Sequence, residues 1–200
     1  MATIALIVIA YLIGSVSFAV LMSRLYHLPD PRTYGSKNPG ATNVLRTGRK
    51  TVAVLTLLGD AAKGWLAVYL AQHFASRYGL GSPTFAAVAL AVVLGHSYSL
   101  FLYFHGGKGV ATTCGVLLAL NIWLGMATLA TWLVIFIISR ISSLSALVAA
   151  VITPIYAFYI FGWDSRSFAV LVLTLLLIWR HQSNIRNLIA GTEASFKKRE

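Results

Sequence analysis

Three polar segments interrupt an otherwise apolar chain, and their residue types are suited to binding phosphate. The first reads "GSKNPGATNVLRTG" at 35–48, where two glycines and several short hydrogen-bonding side chains precede Arg46. An arginine guanidinium binds a phosphate group through two parallel hydrogen bonds. A plain solvated turn is the alternative, but a turn does not need so many donors ahead of an arginine.

The second segment reads "HGGKGVATTCG" at 105–115 and sets Lys108 among Gly106, Gly107 and Gly109, directly before an apolar run. Successive backbone N–H groups, a lysine and a helix N-terminus together form an anion-binding site. The spacing G-x-x-x-x-G-K-[ST] is absent, so this is not a Walker A loop. A tight turn between two helices is the alternative.

The third segment reads "RHQSNIRNLIAGTE" at 180–193 and follows the last apolar run. If the segment is helical, His181, Asn184 and Leu188 lie on one face. His181 is then a candidate general base or a donor to phosphate, although a lone histidine at a membrane edge is equally compatible with a structural role. Cys114 is the only cysteine, which excludes an internal disulfide and a multi-cysteine metal site.

The composition indicates which elements hold these segments. Charged residues make up 10% of the chain, against about 25% in an ordinary soluble domain. We therefore predict an all-α, polytopic integral membrane helical bundle, with residues 1–200 forming a single domain that ends in a short basic tail at about 190–200. Seven apolar runs predict seven transmembrane helices, at roughly 3–22, 52–74, 84–104, 110–121, 123–139, 144–162 and 167–180. The fourth, fifth and seventh runs are short, so a count of five or six is the alternative.

The distribution of basic residues predicts the orientation. With the N-terminus outside, thirteen Lys and Arg residues fall on the cytoplasmic side and only Arg77 and Arg166 fall outside. All three polar segments then face the cytoplasm. The formal net charge of +11 is explained by an anionic inner leaflet and anionic substrates, so nucleic acid is not the expected partner.

Asp60, Lys63 and His96 are ionisable residues that lie inside the apolar runs. Asp60 and Lys63 are three residues apart in the second run, so we expect them to pair and to face the bundle interior. His96 lies near the end of the third run, where we expect a structural role.

The motifs resemble those of the bacterial acyl-phosphate-dependent glycerol-3-phosphate acyltransferases, the PlsY family. The resemblance rests on "GSKNPGATNVLR", "LGH" with "GGKGVAT", and the third segment, and it extends to "AYLIGSVSFAV" and "DAAKG". It implies a seven-helix enzyme of the bacterial cytoplasmic (inner) membrane with its active site on the cytoplasmic side. Such an enzyme transfers an acyl group from acyl phosphate to the 1-position of sn-glycerol 3-phosphate, the first acylation step of bacterial phospholipid synthesis. Lysophosphatidate and phosphate are the products, and neither metal nor cofactor is required.

The resemblance also implies roles for individual residues, and one departure from it is visible. Where the family usually has an aromatic-Pro pair after "GH", this chain reads Tyr98-Ser99, which predicts a change at the end of the third helix. The implied catalytic residues are Ser36, His181 and Asn184. The implied substrate- and phosphate-binding residues are Asn38, Thr42, Asn43, Arg46, Gly106, Gly107, Lys108, Gly109, Ser143 and Glu193.

The chemistry leaves two questions open at this level. Two unit charges about 4 Å apart repel by about 4 kcal/mol at an effective dielectric near 20, so the site must screen two phosphates with cations such as Lys108 and Arg46. We expect direct attack by the glycerol hydroxyl, with His181 or a substrate phosphate as base, in preference to an acyl-enzyme on Ser36. An organic-phosphate or lipid transporter is the alternative function, but it should have polar or broken helices at mid-membrane.

Overall fold

The chain folds into a bundle of α-helices. The computed structural model describes residues 1–196, and within that range it contains no β-strand. The longer helices are α1 (Ala2–Ser15), α2 (Phe18–Leu25), α4 (Lys50–His73), α6 (Ser82–Ser97), α7 (Val110–Leu120), α8 (Ile122–Ser139), α9 (Ser142–Phe161) and α10 (Ser165–Arg180). Shorter elements are α3 (Ala41–Leu45), α5 (Ala75–Tyr78), α11 (Gln182–Ile189) and a 3₁₀ turn at Leu100–Leu102. The all-α prediction is confirmed, whereas the last basic residues of the predicted tail, 197–199, lie outside the described range.

The lengths of the helices are those of a polytopic membrane protein. Four of them, α4, α6 with its 3₁₀ extension, α8 and α9, are long and apolar enough to cross a membrane. The bent pairs α1–α2 and α10–α11, with angles of 42° and 60°, would bring the number to six if each is one span. The remaining predicted span is α7, whose 11 residues are fewer than the roughly 20 that a span usually needs.

The first apolar run is broken where α1 gives way to α2. Val16 is extended, and the hydroxyl of Ser17 accepts from the Val20 N–H to cap α2. The freed carbonyl of Val16 accepts a hydrogen bond from Lys63 Nζ at 2.6 Å. Lys63 Nζ also lies 2.8 Å from Asp60 Oδ1, and both side chains are buried, so the predicted pair is confirmed.

Close contacts between glycines and helix backbones bring α7 against α4. A Cβ atom on Gly64 would lie 2.1 Å from the carbonyl oxygen of Thr112, and one on Gly115 would lie 1.9 Å from that of Ala61. The two glycines therefore allow an approach that larger residues would prevent. This contact fixes the start of α7, and with it the loop that carries Lys108.

Helices α1 and α6 run parallel, so that their C-terminal ends lie together. The hydroxyls of Thr3 and Thr84 are 3.3 Å apart at one end, and Ser99 Oγ donates to the Ser15 carbonyl at 2.6 Å at the other. Tyr11 adds a hydrogen bond to the carbonyl of Tyr98 at 2.7 Å. Ser99 is thus buried and bonded at the position where the family usually has a proline, and α6 ends at Ser97 rather than continuing to 104.

Candidate active site

A cavity of about 670 Å³ runs from the polar end of the bundle into its apolar interior. Its mouth is lined by polar side chains from all three segments, including Ser36, Asn38, Arg46, Lys108 and Asn184. Its inner arm is lined by apolar side chains of the helices, including Leu118, Leu129, Trp132, Ala150 and Val170. The shape and lining suit a molecule with an anionic head and a long hydrocarbon chain.

A chain of hydrogen bonds joins the second and third segments to the start of α9. Lys108 Nζ donates to Asn184 Oδ1, and Asn184 Nδ2 donates to Glu193 Oε1. The Ser143 hydroxyl donates to the same Glu193 oxygen at 2.7 Å. These side chains come from four separate parts of the fold, so their meeting depends on the packing of α7, α9 and α10.

The mouth carries an excess of positive charge. Burial lowers the pKa of Lys108 below its ordinary value of 10.5, and the nearby Arg180 and Arg46 act in the same direction, while Glu193 opposes them. Lys108, Arg46 and Arg180 repel one another, and this repulsion favours the binding of an anion between them. The electrostatics of the mouth, like its residue types, therefore suit an anion.

The first segment is held in shape by Asn43. Its amide donates to the carbonyls of Pro31 at 2.7 Å and Tyr34 at 3.2 Å, and its Oδ1 accepts from the Ser36 N–H at 3.0 Å. Asn43 lines the cavity, but its polar atoms are occupied within the loop. The structure therefore shows Asn43 holding the loop together, while its predicted phosphate contact stays a prediction.

The glycine loop differs from the predicted anion cradle in one respect. The N–H groups of Gly106 and Gly107 donate to the carbonyls of Ser97 and His96, at 3.2 and 3.0 Å, and are not free to bind an anion. The first turn of α7 instead leaves its N–H groups without acceptors inside the helix, and Val110 lines the cavity there. The start of α7 is therefore the part of this segment whose N–H groups are available to an anion, and the two glycines allow the loop to lie against α6.

His181 lies just beyond the end of α10 and is buried against the cavity wall. Its Nδ1 is 2.8 Å from the carbonyl oxygen of Leu177. Because a carbonyl only accepts, Nδ1 carries the proton in this contact and Nε2 is the nitrogen that can accept one. His181 therefore has a ring nitrogen that can accept a proton, as a general base requires. Among residues 1–196, no three His, Cys, Asp or Glu side chains are grouped so that they could hold a metal ion.

Comparison with known proteins identifies the family. A family model described as glycerol-3-phosphate acyltransferase matches residues 4–191. The chain belongs to the glycerol-3-phosphate acyltransferase family. The resemblance predicted from the three motifs is therefore confirmed.

Similar acyltransferases span nearly the whole chain. A glycerol-3-phosphate acyltransferase of Nitrosospira multiformis is 55% identical, covering 100% of this chain and 98% of its own length. One from Ralstonia nicotianae is 58% identical, with coverage of 96% and 93%. Crystal structures of PlsY, an integral membrane glycerol 3-phosphate acyltransferase, match in the glycerol 3-phosphate form (TM-score 0.91, 34% identity) and in the lysophosphatidic acid form (0.89, 33%). Each covers 98% of this chain and 96% of the crystallised one.

Most of the site residues predicted from the sequence line the one cavity. They are Ser36, Asn38, Thr42, Asn43, Arg46, Lys108, Gly109, Ser143, His181, Asn184 and Glu193. Gly106 and Gly107 do not line it, because they lie behind Lys108 against α6. Gly106 borders a neighbouring polar cavity of about 630 Å³ that shares Ser36, Asn38 and Lys108 with the first.

Arg180 contacts the glycine loop, although the sequence analysis did not include it among the site residues. Its guanidinium donates to the carbonyls of Gly106 at 2.9 Å and Gly107 at 3.3 Å, and it lies over the ring of Tyr98. Arg180 therefore holds the glycine loop through its carbonyls, next to the C-terminal end of α6. The only feature of the sequence that could have pointed to Arg180 is its position next to His181. An arginine at the end of a membrane helix is not informative by itself, because it is common for other reasons.

Replacing Glu193 by alanine is expected to lower kcat/KM about tenfold. The change removes the carboxylate acceptor of the part-buried Asn184 amide, and a hydrogen bond to a charged group contributes about 1.5–3 kcal/mol. Asn184 would then hold Lys108 less well. Steady-state kinetics of purified Glu193→Ala, beside an Arg186→Ala control that changes an exposed charge on α11, would measure the effect. Wild-type kinetics in a folded Glu193→Ala sample would show that Lys108 does not depend on this chain of bonds.

Proposed function

We propose that this protein transfers an acyl group from an acyl phosphate to the 1-hydroxyl of sn-glycerol 3-phosphate, forming lysophosphatidate and inorganic phosphate. The observation that carries the proposal is the joining, in one cavity, of a cationic mouth to an apolar arm. From Ser143 at the mouth to Thr153 at the inner end, α9 rises about 15 Å at 1.5 Å per residue. Such an arm holds much of an acyl chain that enters from the bilayer. Family membership favours this acyltransferase over the transporter that the anion-binding segments left open.

The geometry supports direct transfer. The 1-hydroxyl oxygen attacks the carbonyl carbon of the acyl phosphate, the bond from that carbon to the phosphate oxygen breaks, and an ester forms. The hydroxyl proton passes to Nε2 of His181 or to a phosphate oxygen, and leaves with the inorganic phosphate. Lys108 and Arg46 lie where they screen the repulsion between the two phosphates. Within residues 1–196, no hydrogen bond joins the Ser36 hydroxyl to a base, and the Ser36 N–H donates to Asn43 Oδ1.

Single-turnover measurement tests this mechanism. Purified protein is mixed with labelled palmitoyl phosphate, with and without glycerol 3-phosphate, and quenched in denaturant. Direct transfer predicts label in lysophosphatidate and none on the protein. An acyl group trapped on Ser36, and absent from a Ser36→Ala variant, would overturn direct transfer while leaving the overall reaction in place.

We also propose that the whole chain is one domain of a bacterial inner-membrane protein with seven crossings and its site on the cytoplasmic side. The parallel course of α1 and α6 agrees with their predicted directions as first and third spans. Because successive spans alternate in direction, the short α7 must also cross the membrane. Local thinning of the bilayer accommodates its length. The excess of Lys and Arg at the end that carries the site supports the cytoplasmic assignment.

Labelling of single cysteines is expected to reveal this orientation. In a Cys114→Ala background, Gly81→Cys should react with a membrane-impermeant maleimide in intact cells, because Gly81 lies at the end opposite the site. Arg186→Cys, near the site, should react only after permeabilisation. The reverse pattern would contradict the proposed topology.

Replacing Ala150 by phenylalanine is expected to shorten the accepted acyl chain. Ala150 is a buried residue of α9 on the cavity wall, about 10 Å along the helix from Ser143 at 1.5 Å per residue. A phenyl ring there fills the arm beyond that depth. We expect kcat/KM with palmitoyl phosphate to fall at least tenfold, and kcat/KM with octanoyl phosphate to change less than threefold.

Val151→Phe is the matched control for this experiment. It introduces the same phenyl ring one residue further along α9, on the exposed face. Its chain-length profile should equal that of the wild type. An unchanged profile in folded Ala150→Phe would place the acyl chain elsewhere.

A further inference from the structure

A cluster of three ionisable residues lies behind the site and has no part in the proposed chemistry. Asp60 and Lys63 on α4 and His96 on α6 are each less than 10% exposed. Lys63 Nζ is 2.8 Å from Asp60 Oδ1, and His96 Nδ1 is 3.6 Å from the same oxygen. Ionisable groups inside a membrane bundle are costly, so their presence calls for a function.

The cluster is connected to the glycine loop through His96. The carbonyl of His96 accepts from the Gly107 N–H at 3.0 Å. The imidazole lies against the same residue, because a Cβ atom on Gly107 would be 2.3 Å from His96 Nε2. The position of the His96 ring and backbone thus determines where Gly107, and the adjoining Lys108, can lie.

The cluster is also connected to the broken first span. Lys63 donates to the Val16 carbonyl that the break between α1 and α2 leaves free. Asp60 and His96 both line the cavity. The three side chains therefore link α1, α4 and α6 at the level of the site, whereas Arg180 holds the loop through the Gly106 carbonyl.

In this cluster, the His96 imidazole lacks a hydrogen bond at Nδ1. It is buried and has no hydrogen-bond partner among the described residues, and the 3.6 Å to Asp60 is too long for a hydrogen bond. Buried polar atoms normally have partners, and active-site hydrogen bonds that are long in a free enzyme tighten in its complexes. A small movement of His96 toward Asp60 would complete the bond and move the loop with it.

We infer that Asp60, Lys63 and His96 are positioning residues, which set the glycine loop so that Lys108 meets the substrate phosphate. The inference rests on the proposed acyl transfer. Asp60 fixes the orientation of the His96 ring, Lys63 holds Asp60 against the break in the first span, and His96 supports Gly107. A purely structural ion pair would hold the helices together without affecting how the loop binds phosphate.

The first test removes both charges together, in Asp60→Asn/Lys63→Met, so that no buried charge is left unpaired. We expect a folded protein whose kcat/KM for glycerol 3-phosphate is at least tenfold lower. The inhibition constant of inorganic phosphate, and the KM of at least one substrate, should rise at least threefold. A fraction of inactive protein lowers kcat but leaves these constants unchanged. Wild-type constants in the double variant would overturn the inference.

His96→Phe is the second test, and it applies even if the double variant fails to fold. It keeps a ring against Gly107 and leaves Asp60 paired with Lys63, but it removes Nδ1. We expect the same rise in the inhibition constant of phosphate and the same tenfold loss. Wild-type constants would overturn the role of the contact between His96 and Asp60.

Gln72→Leu is the matched control, because it removes a hydrogen bond from α4 to the Ala119 carbonyl at 3.0 Å, remote from the loop. It should lower the melting temperature without changing any kinetic constant. A rise in the phosphate inhibition constant in this variant too would mean that α4 acts only through general stability, and the inference would fail. A wild-type sample that forms no product would refute the proposed function, whereas an active wild type beside unaffected variants would refute the positioning role alone.

Discussion

Replacing Lys108 by methionine is expected to lower kcat/KM at least a hundredfold while the bundle stays folded. Lys108 is the cation at the centre of the mouth, bonded to Asn184 and lying beside both cavities. Removing one preorganised donor to developing charge typically costs about 10²–10³ in rate, or about 2.7–4 kcal/mol. Methionine retains the length of the side chain and fills irregular space well, so packing should survive.

Purified variants in detergent, compared by initial rate and melting temperature, would measure this effect. Lys50→Met removes an exposed positive charge at the first residue of α4 and should leave kcat/KM within about twofold, as expected for a screened surface charge. Lys108→Arg retains the positive charge but changes the length and shape of the side chain. We therefore expect a rate between those of the wild type and Lys108→Met. A folded Lys108→Met variant with a wild-type rate would exclude Lys108 from the phosphate site.

Replacing Gly106 by alanine is expected to reduce activity by a similar factor for a different reason. A Cβ atom there would lie 1.9 Å from the carbonyl oxygen of His96 and 2.9 Å from the carbonyl carbon of Ser97. Both are backbone atoms, so no side-chain rotation relieves the clash and the loop must move away from α6. A displacement of about 1 Å in a catalytic group can cost about a hundredfold in rate.

The control for this substitution is Gly81→Ala, in which the new methyl group meets only Pro83 Cδ at 3.8 Å. It should behave as the wild type in rate and melting temperature. Gly107→Ala meets a side-chain nitrogen of His96 at 2.3 Å and the Pro39 carbonyl oxygen at 3.0 Å. Because the side chain can yield in part, a smaller loss is expected. Full activity in Gly106→Ala would mean that the loop is not held against α6 in the working enzyme.

The helices were largely predictable because each apolar run is long and clearly bounded by polar segments. The run at 144–162, for example, corresponds to α9 at Ser142–Phe161. The break between α1 and α2 at Val16 could not be predicted from hydropathy, because it depends on the Ser17 cap and on Lys63 from another helix. The early end of α6 likewise depends on contacts from Tyr11 and Ser15.

The site was predictable to the extent that residue type determines role. A lysine, an arginine and a histidine beside glycines were recognisable as phosphate-site chemistry, and they do converge on one cavity. The individual contacts of these residues could not be predicted, because they depend on hydrogen-bond partners that are distant in the sequence. Asn43 is occupied by its own loop, the N–H groups of Gly106 and Gly107 are occupied by α6, and Arg180 acts through their carbonyls.

The most direct test of the account is product formation by the purified protein from two different acyl donors. Glycerol 3-phosphate is supplied with palmitoyl phosphate in one reaction and with palmitoyl coenzyme A in another, and lysophosphatidate and released phosphate are measured. The account predicts equal amounts of lysophosphatidate and phosphate from palmitoyl phosphate, and no product from the thioester. Product from palmitoyl coenzyme A alone, or from neither donor in a folded sample, would contradict it.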